Sequence, residues 1–114
     1  EKRPPISSKT KKDLIAMNRV IEYIETHLDQ DIRLKDLAAI AYMSPSYFST
    51  VFKKYNGISP SQYISRRRIG LAQEYLKTSD KTVIEIASLC GFNNTAKFYK
   101  TFKNITGKIP SDFR

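Results

Sequence analysis

One cysteine, one histidine and a shortage of acids mark this chain, and each scarcity removes a class of function. A lone Cys90 excludes an internal disulfide and a zinc site built on several cysteines. It lies in an apolar run, which assigns it to the core as a small hydrophobe. The only histidine, His27, sits on an acidic helix, and no paired carboxylates stand in a glycine-rich setting. No catalytic set emerges, so the residues point away from an enzyme and ask for no cofactor and no metal. No run of 18 apolar residues is present, and no membrane span is expected. The start lacks a secretory pattern, which makes a cytoplasmic setting the expectation. The chain opens on Glu1 and not on Met, so it is expected to be a fragment of a longer protein.

Acids number 11 against 20 Lys and Arg, for a net charge of +9. That balance favours a polyanionic partner, either nucleic acid or an anionic membrane surface. The charge is unevenly spread. Residues 13–36 hold six acids (Asp13, Glu22, Glu25, Asp29, Asp31, Asp36) and three bases, whereas 94–108 hold Lys97, Lys100, Lys103 and Lys108 without an acid. Arg66, Arg67 and Arg68 form a run. One acidic and one basic face are expected, which suits an oriented contact with phosphates.

With 114 residues, 40% of them hydrophobic, the chain has room for one domain or two small subdomains. Residues 1–12 are polar and basic, carry Pro4-Pro5, and read as a linker or tail. From Asp13, a possible N-cap, the steps Leu14, Met17, Ile21, Ile24 and Leu28 draw a helical apolar stripe. Leu34, Leu37, Ala38 and Ala41 fit a short helix. Ser44-Pro45 then opens another that Asn56-Gly57 ends. Ser59 to Gln62 is a capping box that starts a long helix to about Thr78. Thr82 to Glu85 is a second box, for a short helix to Cys90; Gly91 stops it, and Asn93 or Asn94 caps the next. A last turn opens at Pro110. No strand signal competes, so the expected fold is all-α with about seven helices. The expected organisation is a tail at 1–12, a first subdomain at 13–58, a connecting helix at 59–78 and a second subdomain at 79–114.

The chain also repeats itself. Phe48, Phe52, Lys53, Gly57, Pro60, Ser61 and Tyr63 recur as Phe98, Phe102, Lys103, Gly107, Pro110, Ser111 and Phe113, each 50 residues later. Leu37-Ala38 recurs as Ile86-Ala87 at an offset of 49, which places one extra residue in the second unit's turn. Each copy is a short helix, a turn and a second helix: a helix-turn-helix. Ala38 and Ala87 stand where the two helices cross closely. Phe48, Phe52 and Tyr55, and likewise Phe98, Phe102 and Ile105, are expected to face inward as core.

The opposite faces are the candidate reading surface, over recognition helices at about 45–55 and 94–104. In the first unit that face presents Ser46, Ser49, Thr50 and Lys53; in the second, Ala96, Tyr99, Lys100 and Lys103, with Asn94, Thr95 and Lys97 at the helix start. Ser46, Ser49, Thr50, Asn94, Thr95, Lys97 and Lys100 are the candidate base contacts. Lys53, Arg66, Arg67, Tyr99 and Lys103 are the candidate phosphate contacts. Lysines donate to guanine O6 and N7, and Asn pairs bidentately with adenine, whereas hydroxyls discriminate poorly among bases. The second unit is therefore expected to hold more of the charged contacts, and the first to read shape or thymine methyls. A connector of about 20 residues spans roughly 30 Å, close to one DNA turn, so the two helices are expected in successive major grooves.

The spacing Leu37-Ala38, Met43-Ser44, Phe48, Phe52-Lys53, Gly57, Pro60, Tyr63, Arg68, Ala72, Leu76, Ile86-Ala87, Gly91-Phe92, Phe98, Phe102-Lys103, Gly107 and Pro110 resembles the AraC/XylS family of bacterial transcription regulators. The resemblance covers about 34–114. It implies two homeodomain-like helix-turn-helix subdomains joined by a long helix, binding double-stranded promoter DNA and activating transcription through RNA polymerase. It also implies a separate sensory or dimerisation domain. In this chain Arg33 stands where Ser or Thr often caps the first short helix, and Ser46, Ser49 and Thr50 are small where longer polar side chains are common. The alternative from the residues alone is a basic helical module that binds RNA or another protein.

Overall fold

The computed structural model describes residues 8–114, and all regular structure within them is helical. In chain order the elements are α1 (Ser8–Thr26), α2 (Leu34–Ile40), α3 (Pro45–Asn56), α4 (Pro60–Thr78), α5 (Val83–Leu89) and α6 (Thr95–Thr106), then a 3-10 turn at Pro110–Phe113. The repeat is visible in the lengths: α2 and α5 have 7 residues each, α3 and α6 have 12. The turn from α2 to α3 covers 41–44 and that from α5 to α6 covers 90–94, so the extra residue lies in the second turn, as expected.

Local signals set these boundaries. Ser44 accepts a hydrogen bond from Tyr47 N at 3.2 Å, and Asn94 accepts one from Lys97 N at 3.1 Å. Of the two asparagines, Asn94 is thus the cap. Gly57 and Gly107 end α3 and α6 in the left-handed region, at φ 79° and 78°, each N–H reaching the carbonyl of Lys53 or Lys103 at 2.8 Å. Thr82 and Glu85 form the reciprocal capping box of α5. Arg33, in contrast, precedes α2 without a side-chain cap.

The start of α1 differs from expectation. The helix begins at Ser8, so Asp13 lies inside it and caps nothing, and residues 8–12 are helix and not tail. Lysines are good helix formers when solvated, and they extend a helix without any apolar periodicity to announce it. The rest of the expected tail, residues 1–7, falls outside the described residues.

The backbone divides into two compact units. One holds the residues up to Thr26 together with Ile32–Pro60. Here α1, α2 and α3 pack on one another, burying Met17, Val20 and Ile24 with Leu37, Phe48 and Phe52. The buried face of α1 uses Ala16 and Val20, whereas Leu14 of the expected stripe is 38% exposed. Ala38 is buried, 1% exposed, on the helix that packs against α3.

The other unit holds His27–Asp31 with Ser61–Arg114, so α4 belongs to it from its second residue onward. Its core gathers Ile69, Ala72 and Leu76 of α4, Ile86, Ala87 and Cys90 around α5, and Phe98 and Phe102 of α6. Phe92 and Phe98 meet edge to face at 5.1 Å, and Phe102 and Phe113 at 5.2 Å. Ile105, expected inside, is 40% exposed: in the last turn of α6 it lies past the end of this core.

Arg68 explains why residues 27–31 join this unit. Its Nε donates to the Leu28 carbonyl at 3.0 Å and its Nη2 to that of Gln30 at 2.6 Å. Burial pushes its guanidinium below the ordinary value, with Asp31 opposing the shift. Arg68 is thus turned to protein and half-buried, whereas Arg66 and Arg67 are exposed. Gly91 seals the arrangement from the other side. At φ 86° it approaches so closely that a Cβ there would lie 2.2 Å from the Leu28 carbonyl oxygen and 2.9 Å from Arg68 Nε.

Candidate nucleic-acid interface

In each unit the second helix buries its two phenylalanines and leaves a polar face outward. On α3, Phe48 and Phe52 are fully buried, 5.7 Å apart, while Ser46, Thr50 and Lys53 are exposed and Ser49 is half-buried. On α6, Phe98 and Phe102 are buried, and Ala96, Lys97, Tyr99, Lys100 and Lys103 are exposed, with Thr95 half-buried. Most of the residues expected to read DNA are thus exposed, with Ser49 and Thr95 half-buried and Asn94 at the cap of α6. A major groove accepts an α-helix presented in this way.

The two faces differ chemically. Lys97, Lys100 and Lys103 step by three along α6, which carries no acid, and give it a ridge of positive charge. Tyr99 stands beside them, its ring edge-on to Phe98 at 6.0 Å, so its phenol is supported by the core while 39% of it stays exposed. On α3 the Thr50 hydroxyl donates to the Ser46 carbonyl at 3.3 Å. That bond spends the hydroxyl's one proton and leaves a methyl and lone pairs for any ligand. Asn94 is also partly committed, because its Oδ1 caps Lys97 N, and bidentate pairing with adenine would draw on the same oxygen. Arg66 and Arg67 are exposed on α4.

Two features of the first unit escaped the sequence. Tyr42, in the turn before α3, has a left-handed φ of 56° and is 86% exposed. Its counterpart 49 residues on is Gly91, the residue that tolerates this conformation, whereas a tyrosine is held there at a cost of order 1–2 kcal/mol. Tyr47, three residues into α3, is capped by a cation: Lys9 Nζ stands 5.3 Å from its ring centroid. An open groove of about 660 Å³ runs between α1 and this turn, lined among others by Lys9, Lys12, Arg19, Tyr42 and Tyr47. Comparing Tyr47 with Lys97, its partner at offset 50, was the signal available in the sequence.

Cys90 is fully buried, and burial pushes its thiol up to about 11 against the pull of Arg68. At neutral pH it is a protonated core residue and a poor nucleophile. Among the described residues no group of three His, Cys, Asp or Glu could hold a metal, and no helix is long and apolar enough to cross a membrane.

Residues 37–114 match a family model described as a helix-turn-helix domain. The regulatory protein PocR of Salmonella typhimurium is 40% identical over 98 residues, which is 86% of this chain and 32% of PocR. The chain therefore spans about a third of the length of this relative. The DNA-binding domain of the global transcriptional factor AdpA, solved with a target DNA, superposes with a TM-score of 0.82 at 32% identity, covering 86% of this chain and 88% of that one. A probable AraC family transcriptional regulator from Rhodopseudomonas palustris gives a TM-score of 0.77 at 29% identity, covering 87% and 94%.

Proposed function

The chain belongs to the AraC/XylS family of helix-turn-helix domains, and on that premise we propose that it binds double-stranded promoter DNA sequence-specifically as the reading part of a bacterial transcription regulator. The observation that carries this is the pair of repeated helices, α3 and α6, each with two buried phenylalanines and an exposed polar face. Ser46, Ser49 and Thr50 of α3, and Asn94, Thr95, Lys97 and Lys100 at and along α6, meet base edges. Lys53, Tyr99 and Lys103, with Arg66 and Arg67 of α4, meet phosphates. The lysine ridge makes the second unit the stronger electrostatic contact, while the first reads thymine methyls and groove shape through Thr50 and its serines.

Activation through RNA polymerase, and control by a sensory or dimerisation domain elsewhere in the protein, complete the proposal. They are supported by the family and by the length of PocR, of which this chain covers 32%. The test of the DNA reading is selection from random duplexes followed by footprinting. It should return one consensus and two protected half-sites about one turn, roughly 34 Å, apart. A pool that never converges would contradict it.

A further inference from the structure

Tyr47 and Lys97 occupy the same place in the repeat. Each is the third residue of its helix, and each donates its backbone N–H to the cap, Ser44 or Asn94. Where α6 carries a cation, α3 therefore carries a phenol ring. The cation is not missing from the first unit: Lys9 of α1 places its ammonium 5.3 Å from the centre of that ring. We propose that Lys9, positioned by Tyr47, is a DNA-phosphate contact of the first unit and stands in for the cation that Lys97 supplies in the second. The inference rests on the DNA-binding reading above.

The geometry favours a phosphate over a base. Lys97 projects from the recognition helix itself, whereas Lys9 projects from the helix beside it. A helix lying in the major groove has base edges beneath it and the sugar-phosphate strands along its flanks, where a neighbouring helix delivers its side chains. An ammonium is a compact charge with three donors and suits a phosphate oxygen, and a hydrogen bond to Tyr47 leaves its other protons for it. Lys9 is cationic at neutral pH as any lysine is, and the hydrogen bond to Tyr47 holds it above its ordinary value. Lys12 and Arg19 line the same groove, so that three cations of α1 face it against one carboxylate, that of Asp13. The first unit is thus better supplied with charge than α3 alone suggests.

The test measures affinity of the 114-residue chain for its selected duplex over a salt series, for Lys9→Ala, Lys9→Arg, Tyr47→Ala, their double variant and Lys97→Ala. Lys9 is exposed, so its removal leaves the fold intact. Lys9→Ala should weaken binding about three- to tenfold and lower the steepness of log K against log salt by about one. Lys9→Arg should hold both near the parent. Tyr47→Ala should lose a similar factor, and the double variant should lose no more than either single change. Parent affinity and parent slope in Lys9→Ala, with Lys97→Ala impaired, would overturn the phosphate contact. Additive losses in the double variant would overturn the positioning by Tyr47. A parent chain without salt-dependent duplex binding would bring down the DNA reading itself, and so is told apart from both.

Discussion

Replacing Gly91 by alanine probes the tightest contact in the second unit. Gly57, Gly91 and Gly107 all lie in the left-handed region, at φ 79°, 86° and 78°. An L-residue there costs about 1–2 kcal/mol, and the stiffer unfolded chain of an alanine variant returns about 0.4–1 kcal/mol. A Cβ at Gly57 or Gly107 meets nothing within 4 Å, so alanine at either should destabilise by roughly 1 kcal/mol. At Gly91 the methyl would lie 2.2 Å from the Leu28 carbonyl oxygen, which is backbone and is itself held by Arg68. Relief requires the 27–31 segment to retreat by about an ångström, which breaks a charge-assisted hydrogen bond worth about 1.5–3 kcal/mol. Gly91→Ala should therefore cost about 2.5–4 kcal/mol, a large part of the stability of a small domain. Urea unfolding followed by circular dichroism and by tyrosine fluorescence gives the comparison, coincidence of the two probes supporting a two-state analysis. If Gly91→Ala is no less stable than Gly107→Ala, the close approach to Leu28 and Arg68 is not a real constraint.

Two further outcomes are expected. Alanine at Lys100 should shift the selected consensus more than alanine at Thr50, since an ammonium donates to guanine while the Thr50 proton is spent on Ser46; a larger shift from Thr50 would reverse the assignment of the two units. The hydrogen bonds from Thr82, backbone first and then side chain, hold the Glu85 carboxylate below its ordinary 4.5. The box therefore stabilises the fold above that pH and fades as pH falls through the lower folded value. Glu85→Gln should remove this part of the acid dependence, read by comparing melting temperatures at pH 7 and on the acid side of 4.5.

Most of the fold could be read because local signals and the repeat agreed with each other. Ser44-Pro45, Thr82 to Glu85, Gly57 and Gly107 fix helix ends through a few atoms each, and such chemistry does not depend on the rest of the chain. The buried aromatics followed from spacing, twice over. What escaped depends on contacts distant in sequence. Arg68 sits in a run of three arginines, and only its reach to Leu28 and Gln30, about 40 residues away, separates it from the other two. Lys9 carries no periodicity that announces a helix, and its meeting with Tyr47 depends on how α1 packs against α3. Tyr42 adopts a glycine's conformation because the turn geometry common to both units outweighs the preference of its own side chain. The candidate site shows the same division. Which residues lie on the outer faces of α3 and α6 followed from the repeat, while the bonds that commit Thr50 and Asn94 did not.

The claim that two unequal helix-turn-helix units read DNA sequence is tested most directly by a specificity ratio. Affinity should be measured at one fixed, near-physiological salt for the selected duplex, for a scrambled duplex of the same composition, and for RNA of the selected sequence. The selected duplex should bind at least about a thousandfold more tightly than the scrambled one, with RNA no better than the scrambled duplex. Equal affinity for all three would contradict it and favour a basic module that holds nucleic acid by charge alone.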